Sequence, residues 1–301
     1  MSAVAGSFGQ KSYRYLSKNL RYLAADPRFF WMKTFARFER LRELAGRSDA
    51  VPAPAGESEA FVSAFGLAEI GATLRDDGYF VGLSLRPEVT AALVARAAKE
   101  TCYAERDPQR PLVLSEHAKP PARPLHVASY FSQQEDWDEF RLVRDDPWLT
   151  AIAHAYLGRE PVYLRSELAW SFPKPDVTRA ERVATAQVFH CDINDFRTLK
   201  FFFYLSDVGL GGGPHAYVKK QPRPRTLRHQ AMGQRVAAID EAALLATYAD
   251  NEVVTVCGPA GTGFIGDPYY FHRGTTPTET PRLLMQLELG CRRFATWYEH
   301  G

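Results

Sequence analysis

Three side chains that can ligate a metal stand out in the sequence, namely His190, Asp192 and His272. His190 and Asp192 are two residues apart, so on a β-strand they would point to the same face. His272 supplies a second imidazole far downstream. Two imidazoles and one carboxylate on one face of a metal leave the opposite face open, which is the ligand set of non-haem Fe(II) oxygenases. The pattern therefore predicts an oxygen-activating iron site, provided that the fold brings the three groups together.

Arg282 follows His272 after a Gly- and Pro-containing turn region over residues 274–281. A hairpin of that length places Arg282 near His272 in space. In such enzymes 2-oxoglutarate chelates the iron through one end, and its far carboxylate needs a cationic partner. A planar guanidinium can give that carboxylate two parallel hydrogen bonds. We therefore expect Arg282 to bind 2-oxoglutarate, with dioxygen as the second co-substrate.

The residues around this set offer weaker candidates for co-substrate binding. Lys200 and Tyr204 lie on one face of a predicted strand and could reach the co-substrate or face solvent. Thr276, like its neighbour Thr275, could donate a hydrogen bond to 2-oxoglutarate or serve the turn after His272. Gln187 precedes the strand that carries His190, and we predict that it reaches the site.

Two further features bear on the primary substrate. Asn194 and Phe196 follow Asp192 and are expected to line the substrate pocket. Residues 219–235 contain six Lys/Arg residues and no acid, which is typical of a solvated loop. If this segment covers the pocket, the substrate is anionic, and Arg223 and Arg225 would bind it.

The elements that must position these residues are mainly short strands. Strands are predicted over 162–172, 187–192, 199–206, 216–218, 252–257, 261–265, 269–273 and 282–289, with one helical insertion over 239–248. Helices are predicted over 67–75, from residue 86 onward, and over 146–158. Many short strands separated by Gly/Pro turns indicate a sandwich or barrel.

Composition limits the remaining possibilities. The 301 residues carry a net charge of +2, which gives no nucleic-acid signal. The first fifty residues are aromatic and basic, so residues 1–56 are predicted to form a helical arm and linker before an oxygenase domain over 57–301. This arm either packs on the domain or contacts a partner or an anionic surface. Four scattered cysteines, together with the absence of a secretory leader and of a long apolar run, predict a cytoplasmic protein without a transmembrane segment.

The sequence resembles the phytanoyl-CoA dioxygenase family of Fe(II)/2-oxoglutarate-dependent oxygenases over roughly residues 67–297. The resemblance rests on residues 75–81, 146–158, 190–192, 199–208 and 213–215, followed by His272 and Arg282 in the family's order. It implies a mainly β fold with flanking α-helices, a double-stranded β-helix or cupin-like jelly roll. It also implies iron binding by His190, Asp192 and His272, and 2-oxoglutarate binding by Arg282. Residues 218–222 depart from the family's Gly-Ser-His turn.

Within this class, the carboxylate of Asp192 favours hydroxylation over halogenation, because halogenases replace it with a small residue. The sequence thus predicts an Fe(II)- and 2-oxoglutarate-dependent dioxygenase that hydroxylates a small or carrier-linked molecule. Two alternatives stay open, a non-catalytic jelly-roll protein that binds a metal or ligand, and a membrane-surface module that acts through its arm. A metal hydrolase is less favoured, because Arg282 would then lack an anionic co-substrate.

Overall fold

The computed structural model describes residues 23–24, 26–45, 54–116 and 124–294. The strands of its large sheet are β1 (Phe61–Ser63), β2 (Tyr79–Leu85), β3 (Thr101–Ala104), β4 (Pro111–Val113), β5 (Val127–Ser129), β6 (Val162–Ser171), β7 (Thr198–Tyr204), β10 (Thr262–Gly266) and β12 (Arg282–Gly290). They pair antiparallel in the order β1-β2-β10-β7-β12-β6-β5-β3-β4. The long strands β6, β7 and β12 are adjacent at its centre, so their alternate residues form one continuous inner face.

A second, smaller sheet packs against this inner face. It consists of β8 (His215–Val218), β9 (Val253–Val256) and β11 (His272–Gly274), in the order β11-β8-β9. Tyr217 and Val256 from this sheet share one buried cluster with Phe202, Tyr204 and Phe264 from the large sheet. Two antiparallel sheets that enclose a core in this way form a jelly roll, so the predicted fold class is confirmed.

The described α-helices pack against both sheets. The helices are α1 (Pro27–Phe35), α2 (Glu39–Ala45), α3 (Leu67–Asp77), α4 (Pro87–Lys99), α5 (Asp138–Arg144), α6 (Pro147–Leu157), α7 (Arg179–Ala184), α8 (Leu227–Met232) and α9 (Glu241–Thr247). Helix α6 begins as its sequence predicts, because the Asp146 side chain accepts the Trp148 N–H and Pro147 occupies the first turn. It ends at Gly158, whose φ of 76° is a left-handed conformation that favours glycine.

The prediction of a single helical insertion among the strands is wrong, because α7 and α8 also interrupt them. Both start at a threonine N-cap, Thr178 for α7 and Thr226 for α8. Thr178 forms a full capping box with Glu181. These caps are local sequence signals, so the two helices could have been predicted from the sequence.

The predicted strand over 187–192 is also wrong, although the segment keeps one β-bridge. His190 and His272 exchange two backbone hydrogen bonds of 3.1 Å. Pairing stops there, because the N–H of Asp192 bonds to the carbonyl of Pro268 at 2.6 Å, outside the ladder. Strand β11 likewise starts later than predicted. The N–H groups of Tyr269 and Tyr270 donate to the side chain and the carbonyl of Asp267, which form a turn before the strand.

The described part of the N-terminal arm packs on the domain. Phe29 and Met32 lie in a buried cluster with Ile193 and Tyr269. Helix α2 is anchored by Arg42, whose Nη2 is 2.8 Å from a carboxylate oxygen of Asp267 in a fully buried ion pair. Residues 1–22, 25 and 46–53 lie outside the described residues, so the arm's predicted contact with a partner or a surface stays a prediction. Within the described ranges, no helix has the length and apolar character needed to cross a bilayer.

Candidate metal and co-substrate site

His190, Asp192 and His272 converge at the inner end of the second sheet. One ligand atom from each lies within 4.8 Å of the other two. Oδ2 of Asp192 is 3.9 Å from Nε2 of His190 and 3.8 Å from Nε2 of His272. The bridge between His190 and His272 holds the two imidazoles side by side, with ring centroids 4.3 Å apart. The structure therefore brings the three predicted ligands together, although they are not on a regular strand pair.

The two imidazoles are oriented as metal ligands. Nδ1 of His190 is 2.8 Å from the carbonyl of Val188, and Nδ1 of His272 is 2.9 Å from the carbonyl of Tyr270. A carbonyl only accepts hydrogen bonds, so both Nδ1 atoms carry the proton and both Nε2 lone pairs point at Asp192. Burial, helped by the neighbouring His190, lowers the pKa of His272 to about 3, so this ring is neutral at physiological pH.

Asp192 supplies the negative charge of the site. Burial by itself raises the pKa of this carboxyl, but the ammonium of Lys200, 2.6 Å from Oδ2, outweighs it and leaves the pKa well below its usual range. Its other oxygen, Oδ1, accepts from Nε2 of Gln234 at 3.4 Å. An ionised carboxylate and two imidazoles on one face are the donor set that Fe(II) takes in open, oxygen-activating sites, so these residues fit the metal.

Arg282 lies in the same cavity and lacks an anionic partner. Its side chain is buried, Nη1 donates to the carbonyl of Gly213, and Nη2 is 3.3 Å from the hydroxyl of Ser171. Nε has no hydrogen-bond partner, and among the described carboxylates Glu167 acts on this guanidinium electrostatically without forming an ion pair. Burial lowers the pKa of Arg282. A buried guanidinium without a counter-charge is costly, so this position indicates an anionic ligand.

Strand β11 relates the position of the Arg282 guanidinium to that of His272. Gly274 lies against the Arg282 guanidinium, and a Cβ at this glycine would be 3.2 Å from Nη2. His272 and Gly274 point to the same side of β11, two residues or roughly 7 Å apart. The Arg282 guanidinium and the His272 imidazole thus lie on the same side of β11, at neighbouring positions along the strand. A side chain at Gly274 would fill the space between the two.

These groups line one cavity of about 360 Å³. Its floor is the inner face of the three central strands, formed by Arg165, Glu167, Ala169 and Ser171 on β6, Lys200 and Phe202 on β7, and Arg282, Leu284 and Gln286 on β12. On each of these strands every second residue lines the floor, because side chains alternate between the two faces of a strand. Arg106 closes the outer end and forms an ion pair with Glu167.

Of the weaker candidates, only Lys200 lines the cavity. The buried hydroxyl of Tyr204 donates to the carbonyl of Val256 at 2.9 Å and accepts the N–H of His215 at 2.8 Å. The Thr276 hydroxyl donates to Oε1 of Gln187, and neither residue lines the cavity. Tyr204, Thr276 and Gln187 thus bond to protein partners, and we do not propose that they bind 2-oxoglutarate.

The predictions for the substrate side need correction. The Asn194 amide donates to buried Glu288 at 2.6 Å, and Phe196 packs beside the N-terminal cluster, so neither lines the cavity. In the basic run, Arg223 is ion-paired with Asp250. Arg225 is buried and donates to the carbonyls of Tyr269 and His229. These cations hold the loop in place, and they do not provide the predicted anion-binding lid.

Sequence reasoning missed two residues near Arg282. Ser171, at the end of β6, is its cross-strand neighbour, and that register cannot be read from the sequence. His215 is buried in the cavity wall with both ring nitrogens unpartnered, and its ring centroid is 5.7 Å from that of His272. Burial lowers its pKa well below the usual value, and the neighbouring His272 and Arg282 add to this shift. In the sequence, the Gly-Pro-His triplet over residues 213–215 marks its position.

No protein-family model and no curated protein sequence matches the chain. Solved structures do match. SnoN, the non-heme alpha ketoglutarate dependent epimerase from nogalamycin biosynthesis, has 17% sequence identity and a TM-score of 0.53, covering 74% of this chain and 82% of that one. Its complex with Fe3+, alpha ketoglutarate and nogalamycin RO has 18% identity and a TM-score of 0.51, covering 74% and 83%. EctD from S. alaskensis with bound Fe has 18% identity and a TM-score of 0.47, covering 82% and 83%. At these identities the similarity to SnoN shows a shared jelly-roll fold.

Proposed function

We propose that this chain is a non-haem Fe(II)- and 2-oxoglutarate-dependent dioxygenase that hydroxylates a C–H bond of a small molecule. The observation that carries the proposal is the pairing of two features in one cavity. One end holds two oriented imidazoles and an ionised carboxylate, and the other end holds a buried guanidinium without an anion. The order of motifs over residues 67–297 supports placing the chain near the phytanoyl-CoA dioxygenase family.

Separate groups of residues would bind the metal and the co-substrate. His190, Asp192 and His272 would hold iron, which supplies dioxygen activation together with 2-oxoglutarate. Arg282 and the Ser171 hydroxyl would bind the far carboxylate of 2-oxoglutarate and so fix its distance from the metal. The Nδ1–carbonyl contacts of both histidines keep their rings from turning. The apolar wall formed by Phe202 and Leu284 excludes water from the space between.

Support for the co-substrate also comes from a neighbour of the same fold. SnoN was crystallised with Fe3+, alpha ketoglutarate and nogalamycin RO. The same jelly roll therefore accommodates this metal, this co-substrate and a small-molecule substrate in one protein. We infer the same two cofactors here, because this chain's own donor set fits them.

The substrate side of the cavity is polar. Its lining includes Arg106, Arg165, Glu167 and the amides of Gln234 and Gln286. A pocket of about 360 Å³ that also holds 2-oxoglutarate leaves room for a small molecule or for the end of a larger one. Because Arg106 and Glu167 present both charges, we propose a small polar substrate and do not retain the anionic substrate inferred from the basic run. The cytoplasmic location stays a prediction.

The test is an anaerobic titration of the protein with Fe(II) and 2-oxoglutarate, followed by admission of dioxygen. We expect the visible charge-transfer absorption of the chelate and, with oxygen, release of succinate. Asp192→Ala should abolish both signals, whereas Asp250→Ala, on the surface and distant from the cavity, should leave them unchanged. A wild-type protein that shows no chelate absorption would refute the proposal. Chelate formation without succinate release would favour the non-catalytic binding protein.

A further inference from the structure

Lys200 makes a short side-chain contact to a candidate metal ligand. Its side chain is buried on β7, and Nζ is 2.6 Å from Oδ2 of Asp192. That oxygen is also the one that faces Nε2 of His190 and of His272, at 3.9 and 3.8 Å. A metal held by the two imidazoles would therefore bind the same carboxylate oxygen that the ammonium uses.

A second acceptor for the ammonium is already in place. Glu288 lies directly opposite Lys200 in the β7–β12 register and is completely buried. Its Oε2 is 4.0 Å from Nζ of Lys200. Arg165 and Asn194 hold this carboxylate at 2.9 and 2.6 Å. Only a small rotation about the side-chain bonds of Lys200 would transfer its ammonium from Asp192 to Glu288.

The ammonium of Lys200 has opposite effects on the metal-free and the metal-bound site. Without a cation nearby, Asp192 would be a buried and uncompensated carboxylate, which is strongly unfavourable. With a divalent metal on the same oxygen, an ammonium within a few ångströms is repelled, and this repulsion is weakly screened inside a protein. The Lys200 ammonium therefore stabilises the metal-free protein and lowers its affinity for the metal.

We propose that Lys200 is the internal counter-cation of the metal site, that it neutralises Asp192 before a metal binds, and that its ammonium moves to Glu288 when the metal arrives. The proposal deepens the proposed function and rests on its metal site. It makes Lys200 a positioning residue that stabilises the empty site at the expense of metal affinity. Most outer contacts of metal ligands do the opposite, since their removal weakens metal binding by roughly 10- to 100-fold.

The test compares Lys200→Met, which keeps the length without the charge, with Lys200→Arg, which keeps the charge. The full chain is titrated with Co(II) by calorimetry at fixed pH without 2-oxoglutarate, and thermal unfolding is followed with and without Co(II). We expect Lys200→Met to bind Co(II) more tightly, on the order of tenfold. Its melting temperature should fall without metal, and its metal-induced rise should exceed that of wild type. Lys200→Arg should remain near wild type.

Lys219→Met is the matched control, because it removes a lysine ion pair with Glu252 at the surface, outside the cavity. It should leave the affinity for Co(II) unchanged. Weaker Co(II) binding by Lys200→Met would overturn the inference, as would an equal loss of melting temperature with and without metal. Wild-type binding that does not respond to His272→Ala would instead overturn the metal site itself, and both proposals with it.

Discussion

Replacing Arg282 with methionine should weaken 2-oxoglutarate binding without weakening metal binding. The guanidinium is buried at one end of the cavity, with Nη1 on the Gly213 carbonyl and Nη2 on the Ser171 hydroxyl. Among the described side chains, the Glu167 carboxylate acts on it electrostatically, but no carboxylate forms an ion pair with it. Methionine fills most of the space and removes the charge, so the effect reports on the missing anion more than on packing.

The size of the effect follows from the bonds that are lost. Each hydrogen bond to a charged group contributes about 1.5–3 kcal/mol. A carboxylate held by two such bonds would therefore lose about 3–6 kcal/mol, which is roughly 10²- to 10⁴-fold in affinity. Arg282→Lys keeps the charge but offers a single point of contact, so it should lose about 2 kcal/mol, or roughly 30-fold.

Arg282→Met should not lower the stability of the protein against unfolding. The burial that lowers the pKa of Arg282 shows that its charge is unfavourable where it stands. In the absence of 2-oxoglutarate, Arg282→Met should therefore unfold no more easily than wild type, while the stabilisation that wild type gains from 2-oxoglutarate should disappear in the variant.

The assay is the dependence of succinate release on 2-oxoglutarate concentration, together with Co(II) calorimetry and thermal unfolding. Arg273→Met is the matched control, because Arg273 is also next to His272 but is ion-paired with Glu241. An unchanged KM for 2-oxoglutarate in Arg282→Met would refute the assignment, even if turnover fell. Loss of Co(II) binding in the same variant would show that Arg282 supports the metal ligands instead.

Two further predictions concern stability. Arg42→Met should destabilise the fold by about 3 kcal/mol in chemical unfolding, because it leaves Asp267 buried without its cation, and Arg40→Met at an exposed position of the same helix should stay within about 0.5 kcal/mol. Equal effects of the two variants would mean that the buried pair does not anchor the arm. Burial depresses the folded-state pKa of His215 below its unfolded value of about 6.5, so protonation favours the unfolded chain and stability is lost as pH falls below about 6.5. His215→Phe should make that loss shallower in unfolding curves between about pH 7 and 4.5, and identical slopes would contradict the reasoning.

The sequence by itself determined the chemistry-bearing residues, and it determined shared faces only along the central strands. His190, Asp192, His272 and Arg282 were identified from residue type and spacing, and the structure places all four in one cavity. The strands at its floor were predicted within one or two residues, because apolar alternation and flanking turn residues are local signals. The helix over Pro147–Leu157 followed from its Asp-Pro start and its terminal glycine for the same reason.

Only the tertiary structure decided which groups meet across elements. The partners of Arg225 and Tyr204 come from segments far away in the sequence, and so does Glu288, which faces Lys200 across the sheet. Such contacts depend on strand register and on the packing of one sheet against the other, and a shift of one residue would reverse the faces. Spacing within a strand thus shows which side chains share a face, whereas the counter-charge that each one meets is set by long-range pairing. That is why the metal ligands could be predicted from the sequence, and why the roles of the basic loop and of Lys200 could not.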